Sequence, residues 1–207
     1  MSTLDSKETG ESATRESLLR RAQADAHGSA WEELLQYYEP FVRRTLRAMG
    51  VEEGEADDVC QQVLAHLWRR LVDFQPDHER ARFRTWLTRI IRNTAVSEYR
   101  KRMRRQRVSF AESSILESLV GDSSDIEQRI EDEWQRYLVD LAMDRIDEIF
   151  SGNAVEVFLR SVEGESAADI GQSLGLHVDS VYVLKNRVRR RLVHEIKVIR
   201  EMLEFPS

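Results

Sequence analysis

The chain is poor in the residues that interrupt helices or cross-link loops: it has one cysteine, three prolines and nine glycines among 207 residues. A single cysteine, Cys60, excludes an intrachain disulfide. No apolar run reaches the roughly 18 residues that a membrane span needs. Residues 1–14 are polar, without the apolar centre of a signal peptide, and are expected to be a disordered lead-in. These features favour an all-α protein of the cytoplasm that does not insert into a membrane.

The charge is unevenly distributed along the chain. The net charge is −6, yet residues 80–107 carry eleven Arg and Lys against one acid, and residues 185–200 carry seven against one. Between these blocks, residues 111–136 carry eight acids and two basic residues. A nucleic-acid-binding protein needs a basic face rather than a basic total. Each run alone could equally be a solvated helix face.

Hydrophobic spacing predicts two helical domains. Apolar residues recur at helical intervals in a short helix at 15–26, a second helix from Ser29, and further helices near 55–74 and 82–105. Ser29 and Glu32 fit a capping box. Four such helices make one compact domain, 15–107. The serine-rich stretch 108–125 is expected to be a linker. A second helical domain, beginning with a long helix, is expected over 126–207.

A helix–turn–helix pattern lies in the second domain. Ser166 and Asp169 are suited to capping a first helix, and Gly175 permits the left-handed backbone that ends it. A second helix is expected from near Asp179, with Val181, Leu184, Val188 and Leu192 inside. The outer face would carry Tyr182, Val183, Asn186, Arg187 and Arg190. Arg and Asn on such a helix can read guanine and adenine in the major groove. A plain helical hairpin with a basic surface is the alternative.

Two stretches of the first domain narrow the choice. Residues 57–68 read DDVCQQVLAHLW and residues 83–93 read FRTWLTRIIRN. They resemble the polymerase-binding helix and the promoter −10 helix of extracytoplasmic-function (ECF) sigma factors of the sigma-70 family. The helix–turn–helix resembles the −35-reading domain of the same family. The resemblance covers about residues 15–107 and 130–195, and it implies a region 2 domain and a region 4 domain joined by a linker.

The resemblance also implies roles for individual residues. The surface that grips a coiled coil of the largest subunit of core RNA polymerase would comprise Asp57, Asp58, Gln61, Gln62 and Ala65. The −10 surface, where Asn93 would hold a flipped-out base, would comprise Phe74, Arg89, Asn93, Ser97, Arg100 and Lys101. The −35 surface would comprise Tyr182, Val183, Asn186, Arg187 and Arg190. Promoter DNA and core polymerase are the implied partners, with an anti-sigma factor as a candidate regulator.

The chain departs from the family pattern at several positions. Gln62 stands where glutamate is frequent, and Leu184 stands where arginine is common. The turn at residues 177–181 reads HVDSV rather than the common PEGTV. The loop between Phe74 and Phe83, which in the family shapes the base pocket, is a few residues longer than in compact members. These departures bear on promoter sequence and on the base pocket, not on the family.

Other functions fit the sequence less well. A conventional helix–turn–helix regulator would explain residues 154–200 but not the two motifs of the first domain, and a helical adaptor would not need the basic blocks. No metalloprotease, phosphate-loop or Cys/His pattern is present, so we expect neither an enzyme nor a metal or other cofactor. Cys60 is expected to be semi-buried. Trp68 and Trp86 are expected in the core, and Arg191 is expected to meet phosphate or solvent.

Overall fold

The computed structural model describes residues 18–25, 28–74, 83–106 and 123–204. These residues contain no strand and form eight helices, so the expected all-α class is confirmed. Among them, no helix combines the length and the apolar character that crossing a membrane requires. The helices are α1 (Leu18–Ala24), α2 (Ser29–Ala48), α3 (Glu53–Leu71), α4 (Phe83–Gln106), α5 (Ser123–Ile149), α6 (Ala154–Val162), α7 (Ala167–Leu174) and α8 (Val178–Leu203).

The described residues divide into two compact units. The first unit contains the residues up to Ile130 together with 201–204, and the second contains Glu131–Arg200. The second unit is therefore shorter at both ends than the expected domain 126–207. Most of the expected linker 108–125, and all of the expected lead-in 1–14, lie outside the described residues. The last three linker positions already belong to α5.

Helix α2 provides the centre of the first unit because its apolar residues recur every three or four positions. Its buried side chains include Leu34, Tyr38, Val42 and Leu46. The expected Ser29–Glu32 capping box is wrong: no side chain caps this helix, and Gly28 holds the cap position. Since Ser29 is already the first helical residue, its hydroxyl lies one position too late to cap. The Gly28 carbonyl instead accepts from the Trp31 amide at 3.0 Å.

An aromatic cluster lies where α3 ends and α4 begins. The rings of Phe74 and Phe83 meet edge to face at 5.6 Å, and that of Trp86 lies 4.8 Å from Phe74. Tyr38 contacts Phe83 at 5.4 Å, and its buried hydroxyl donates to the Leu203 carbonyl at 2.6 Å. The side-chain amide of Gln23, in the last turn of α1, donates to the Phe74 carbonyl at 2.5 Å. These contacts hold Phe74 and Phe83, the residues on either side of 75–82, in defined positions.

Trp68 does not join the core, contrary to expectation. Its side chain is 39% exposed, whereas Leu67 and Leu71 are buried. Trp68 follows Leu67 by one position, and a step of one residue turns a side chain about 100° around the helix. Trp86, by contrast, is half-buried within the aromatic cluster.

Two small apolar clusters stabilise the second unit. One is built around Ile146, Phe158 and Val188, and the other around Val157, Ile170 and Val181. Leu184 packs against both clusters, so the position where the family often has arginine is here part of the core. The Glu195 carboxylate is buried and accepts from Arg145 at 3.2 Å and from Arg191 at 2.7 Å. A buried carboxylate needs such partners, and they join α5 to α8 within this unit.

Candidate functional site

The first candidate surface lies on the side of α3 that does not pack. Asp57, Asp58 and Gln61 are exposed, and Gln62 and Ala65 are half-buried. The apolar residues of the same helix face inward: Val59, Cys60, Val63, Leu64, Leu67 and Leu71. Asp57 forms an ion pair with Arg43 of α2. The five predicted residues therefore share one side of the helix, with one of them already engaged within the chain.

Beneath this surface, Cys60 is buried beside Glu39 and Arg43. Its thiol lies 3.9 Å from the Glu39 carbonyl oxygen, as a weak donor, and Arg43 donates to the Glu39 carboxylate at 2.7 Å. Burial raises the pKa of Cys60 to about 11, against the opposing effect of the Arg43 charge. The neutral thiol behaves as a small apolar side chain that supports the α3 surface. Cys60 was expected to be semi-buried, and in the structure it is fully buried.

The second candidate surface is a stripe along α4. Arg89, Asn93, Ser97 and Arg100 are all exposed, and their spacing of four, four and three residues puts them on one face. Lys101 is exposed beside them and pairs with Glu98 at 2.5 Å. The opposite side of the helix is buried through Leu87, Ile91 and Ala95. The structure thus brings five of the six predicted −10 residues to one accessible side.

Two residues alter this second surface. Phe74 was predicted to belong to it, but its ring is only 5% exposed and lies in the aromatic cluster. It can support the start of α4 but presents little surface to a base. Arg104 was not predicted, yet it is exposed and lies seven residues beyond Ser97, which continues the stripe. The helical spacing of residues along α4 was sufficient to predict that Arg104 lies on this surface.

The third candidate surface depends on a rigid turn. The Ser166 hydroxyl caps α7 by accepting from the Asp169 amide at 3.2 Å, and Gly175 ends the helix at φ +67°, as predicted. The Leu176 amide then donates to the Gly171 carbonyl at 2.8 Å. His177 precedes α8, and its Nδ1 accepts from the Asp179 amide at 3.3 Å. This cap on the second helix was missed, because histidine is an infrequent capping residue.

A pair of hydrogen bonds also stabilises the connection between α6 and α7. Arg160 of α6 donates two hydrogen bonds to the Glu165 carboxylate, at 2.7 and 2.5 Å. This pairing lowers the pKa of Glu165 below its usual value. The bond encloses Gly164, whose φ is +94°. Both connections into α7 and α8 are thus defined by specific contacts, which gives α8 a fixed direction within the unit.

Helix α8 presents all five predicted −35 residues to solvent. Tyr182 and Val183 are 53% and 64% exposed, and Asn186, Arg187 and Arg190 are exposed as well. The buried positions of this stretch are Val181 and Val188. Arg191 differs from expectation because its guanidinium bonds Glu195 rather than only facing solvent. Arg187 lies over the ring of Phe150, at 5.4 Å from the centroid, a contact that the sequence did not reveal.

No cluster of three or more His, Cys, Asp or Glu suited to a metal occurs among the described residues. The surfaces offer instead acidic and amide groups on α3, cationic and amide groups on α4, and aromatic, amide and cationic groups on α8. Such side chains bind by hydrogen bonding and by charge.

Comparisons with known proteins agree on one family. The model of sigma-70 region 2 matches residues 34–105. The ECF RNA polymerase sigma factor RpoE of Cereibacter sphaeroides is 31% identical over 84 residues, which are 41% of this chain and 45% of that protein. The ECF RNA polymerase sigma factor SigE of Mycolicibacterium smegmatis is 24% identical over 163 residues, or 79% of this chain and 60% of that protein.

The chain therefore spans about half of the length of these relatives. Among solved structures, that of CnrH in complex with the cytosolic domain of CnrY is 22% identical, with coverage of 87% of this chain and 96% of that chain. The TM-score of this match is 0.34. The region 2 match and the two named relatives agree: residues 34–105 carry a sigma-70 region 2 sequence, and the chain is similar to ECF sigma factors.

Proposed function

We propose that this protein binds core RNA polymerase, recognises promoter −10 and −35 elements, and promotes strand opening at the start of transcription. The observation that carries the proposal is the match of residues 34–105 to sigma-70 region 2, in which the α3 and α4 surfaces are accessible. The protein would act in the cytoplasm as a non-catalytic factor, since the polymerase supplies the chemistry. The similarity to ECF sigma factors makes an anti-sigma factor a candidate regulator.

Core polymerase would dock on the α3 surface. Asp58 can accept hydrogen bonds, and Gln61 can accept or donate them, without loss of packing, because both are exposed on a helix whose other side is buried. The Arg43–Asp57 pair leaves Asp58 as the more available of the two carboxylates. An acidic and amide surface of this kind suits the basic and polar residues of a helical partner.

The −10 element would bind along α4. Exposed arginines at 89, 100 and 104 can follow a phosphate backbone, and Asn93 in the middle of the stripe can hydrogen-bond the edge of an unpaired base. The base would gain these bonds only after it has left the duplex. Binding along α4 would therefore favour the separated strand over the paired one.

The −35 element would bind α8 as duplex DNA. The exposed residues from Tyr182 to Arg190 occupy the first half of this helix, which in a helix–turn–helix meets the base edges. Asn186 is suited to adenine and Arg187 to guanine. Arg190, one turn further along, is suited to phosphate. The second unit, Glu131–Arg200, would thus act as region 4, and the first unit as region 2.

Run-off transcription tests the proposal as a whole. Core polymerase is combined with the full chain and with genomic promoter fragments, and transcripts are compared with those from core alone. Promoter-specific transcripts that depend on the chain are the expected result. A chain that neither binds core nor stimulates transcription from any fragment would contradict the proposal, whereas DNA binding without core binding would indicate a conventional helix–turn–helix regulator.

Reversal of the charge at Asp58 tests the docking surface. Asp58→Lys is expected to weaken core binding about tenfold or more, because it puts a cation where the partner presents basic groups. The free energy of unfolding should fall by no more than about 0.5 kcal/mol, since the side chain is exposed. The measurement is a titration of labelled core with the variant. The control is Asp144→Lys, an equal charge change at an exposed position of α5, which should leave core affinity unchanged.

A further inference from the structure

Phe150 occupies a position between the core of the second unit and the outer face of α8. It follows α5, and its amide donates to the Ile146 carbonyl at 2.9 Å, which continues the helical pattern by one residue. Its ring is half-buried against the cluster of Ile146, Phe158 and Val188. The backbone hydrogen bond and the packing of the ring together therefore restrict the position of Phe150.

The same ring also contacts an arginine. The guanidinium carbon of Arg187 lies over it, 5.4 Å from the centroid, within the range of a cation–π contact. Such a contact can form through the π surface of the guanidinium, which leaves N–H donors for other partners. Arg191, one turn further along, is different: its Nε is bonded to Glu195 at 2.7 Å. The ring therefore restricts the position of Arg187, whose side chain remains exposed.

We propose that Phe150 is a positioning residue for Arg187 in the reading of a guanine-containing base pair of duplex DNA. A free arginine side chain loses much rotamer freedom when it binds a base edge. Here part of that ordering is complete before DNA arrives, because the ring restricts where the guanidinium lies. The inference rests on the proposed function, and it adds a residue that contacts no base itself.

A double-mutant cycle tests the proposal. Holoenzyme made with the native chain, Phe150→Leu, Arg187→Ala and the double variant is titrated with duplexes that differ at single −35 base pairs. Phe150→Leu is expected to reduce the preference for the favoured base pair about two- to fivefold, the effect of one exposed cation–π contact. In the Arg187→Ala background the same change should have no further effect. Phe150→Tyr, which keeps the aromatic face, should retain the preference.

A matched variant separates positioning from packing. Phe158 belongs to the same cluster, so Phe158→Leu removes a comparable ring from the core without touching the Arg187 contact. It should lower the melting temperature but leave base preference unchanged. Equal loss of preference from both leucine variants, or equal effects of Phe150→Leu with and without Arg187, would overturn the positioning role. Failure of the native holoenzyme to bind any −35 duplex would instead overturn the proposed function and this inference with it.

Discussion

Cys60 shows how burial can outweigh a neighbouring charge in setting the chemistry of a side chain. Its pKa rises from 9.0 to about 11, so at pH 8 the thiolate is about a hundredfold rarer than for an unperturbed thiol. Because the folded state holds the proton more tightly, the associated stabilisation is complete below pH 9. It is lost as the pH rises from 9 towards 11. A redox or nucleophilic role for this residue is therefore disfavoured at neutral pH.

We expect Cys60 to react with iodoacetamide at least about a hundredfold more slowly in the native protein than in the unfolded protein at pH 8. The measurement is the alkylation rate by mass spectrometry. The control is Ser29→Cys in a Cys60→Ala chain, where the new thiol is exposed at the start of α2. A native Cys60 that reacts as fast as this control would mean that the thiol is not buried.

Exposure was predictable from sequence at most of the proposed surface positions, but the partners of these residues were not. The period of 3.6 residues was sufficient to place Asp58, Asn93 and Arg187 away from the core. The partners of the same surfaces come from distant parts of the chain: Arg43 reaches Asp57 from another helix, and Phe150 reaches Arg187 from the end of α5. Periodicity reports which side faces inward and contains no information on which helix packs there.

At the scale of elements, the turn between α7 and α8 depends on a close approach that the sequence did not indicate. Gly175 and Ser166 were predictable because a left-handed residue and a cap have local signatures. Gly171 has no such signature. In the structure, a Cβ at position 171 would lie 2.7 Å from the Leu176 carbonyl oxygen, which belongs to backbone and cannot move aside easily.

Gly171→Ala is therefore expected to destabilise the second unit by about 1–3 kcal/mol, the range for an overpacked site. Denaturant unfolding followed by circular dichroism provides the measurement, and binding of a −35 duplex should weaken in parallel. Gly54→Ala is the control: this helical glycine has nothing within 4 Å of an added Cβ, so alanine should leave stability equal or raised. A neutral Gly171→Ala would show that α7 and the turn are not in close contact.

At the scale of the whole molecule, the sequence indicated two helical domains but placed their limits only approximately. The expected boundary at residue 126 falls inside α5, which begins at Ser123. Ile126 and Ile130, which follow this boundary, are buried and belong to the first unit. The last described residues, 201–204, also belong to the first unit. Composition marks a serine-rich stretch, but the residue at which a continuous helix passes from one core to another depends on tertiary packing.

Two units with different surfaces imply two separable steps at a promoter. Arg187 belongs to the unit proposed to bind duplex DNA, and Asn93 belongs to the unit proposed to hold an unpaired base. Arg187→Ala should cost about 1–3 kcal/mol in initial binding, as loss of a bidentate base contact does. Asn93→Ala should leave that step unchanged, because its partner is not yet accessible.

Asn93→Ala is expected to reduce open-complex formation about fivefold, which corresponds to roughly 1 kcal/mol for one hydrogen bond. Permanganate reactivity of unpaired thymines measures the open complex, and promoter binding at low temperature measures the closed one. Gln36→Ala removes an exposed amide from α2 in the same unit and should change neither. Equal losses in closed and open complexes would assign Asn93 a structural role, because only a base contact made after melting separates the two steps.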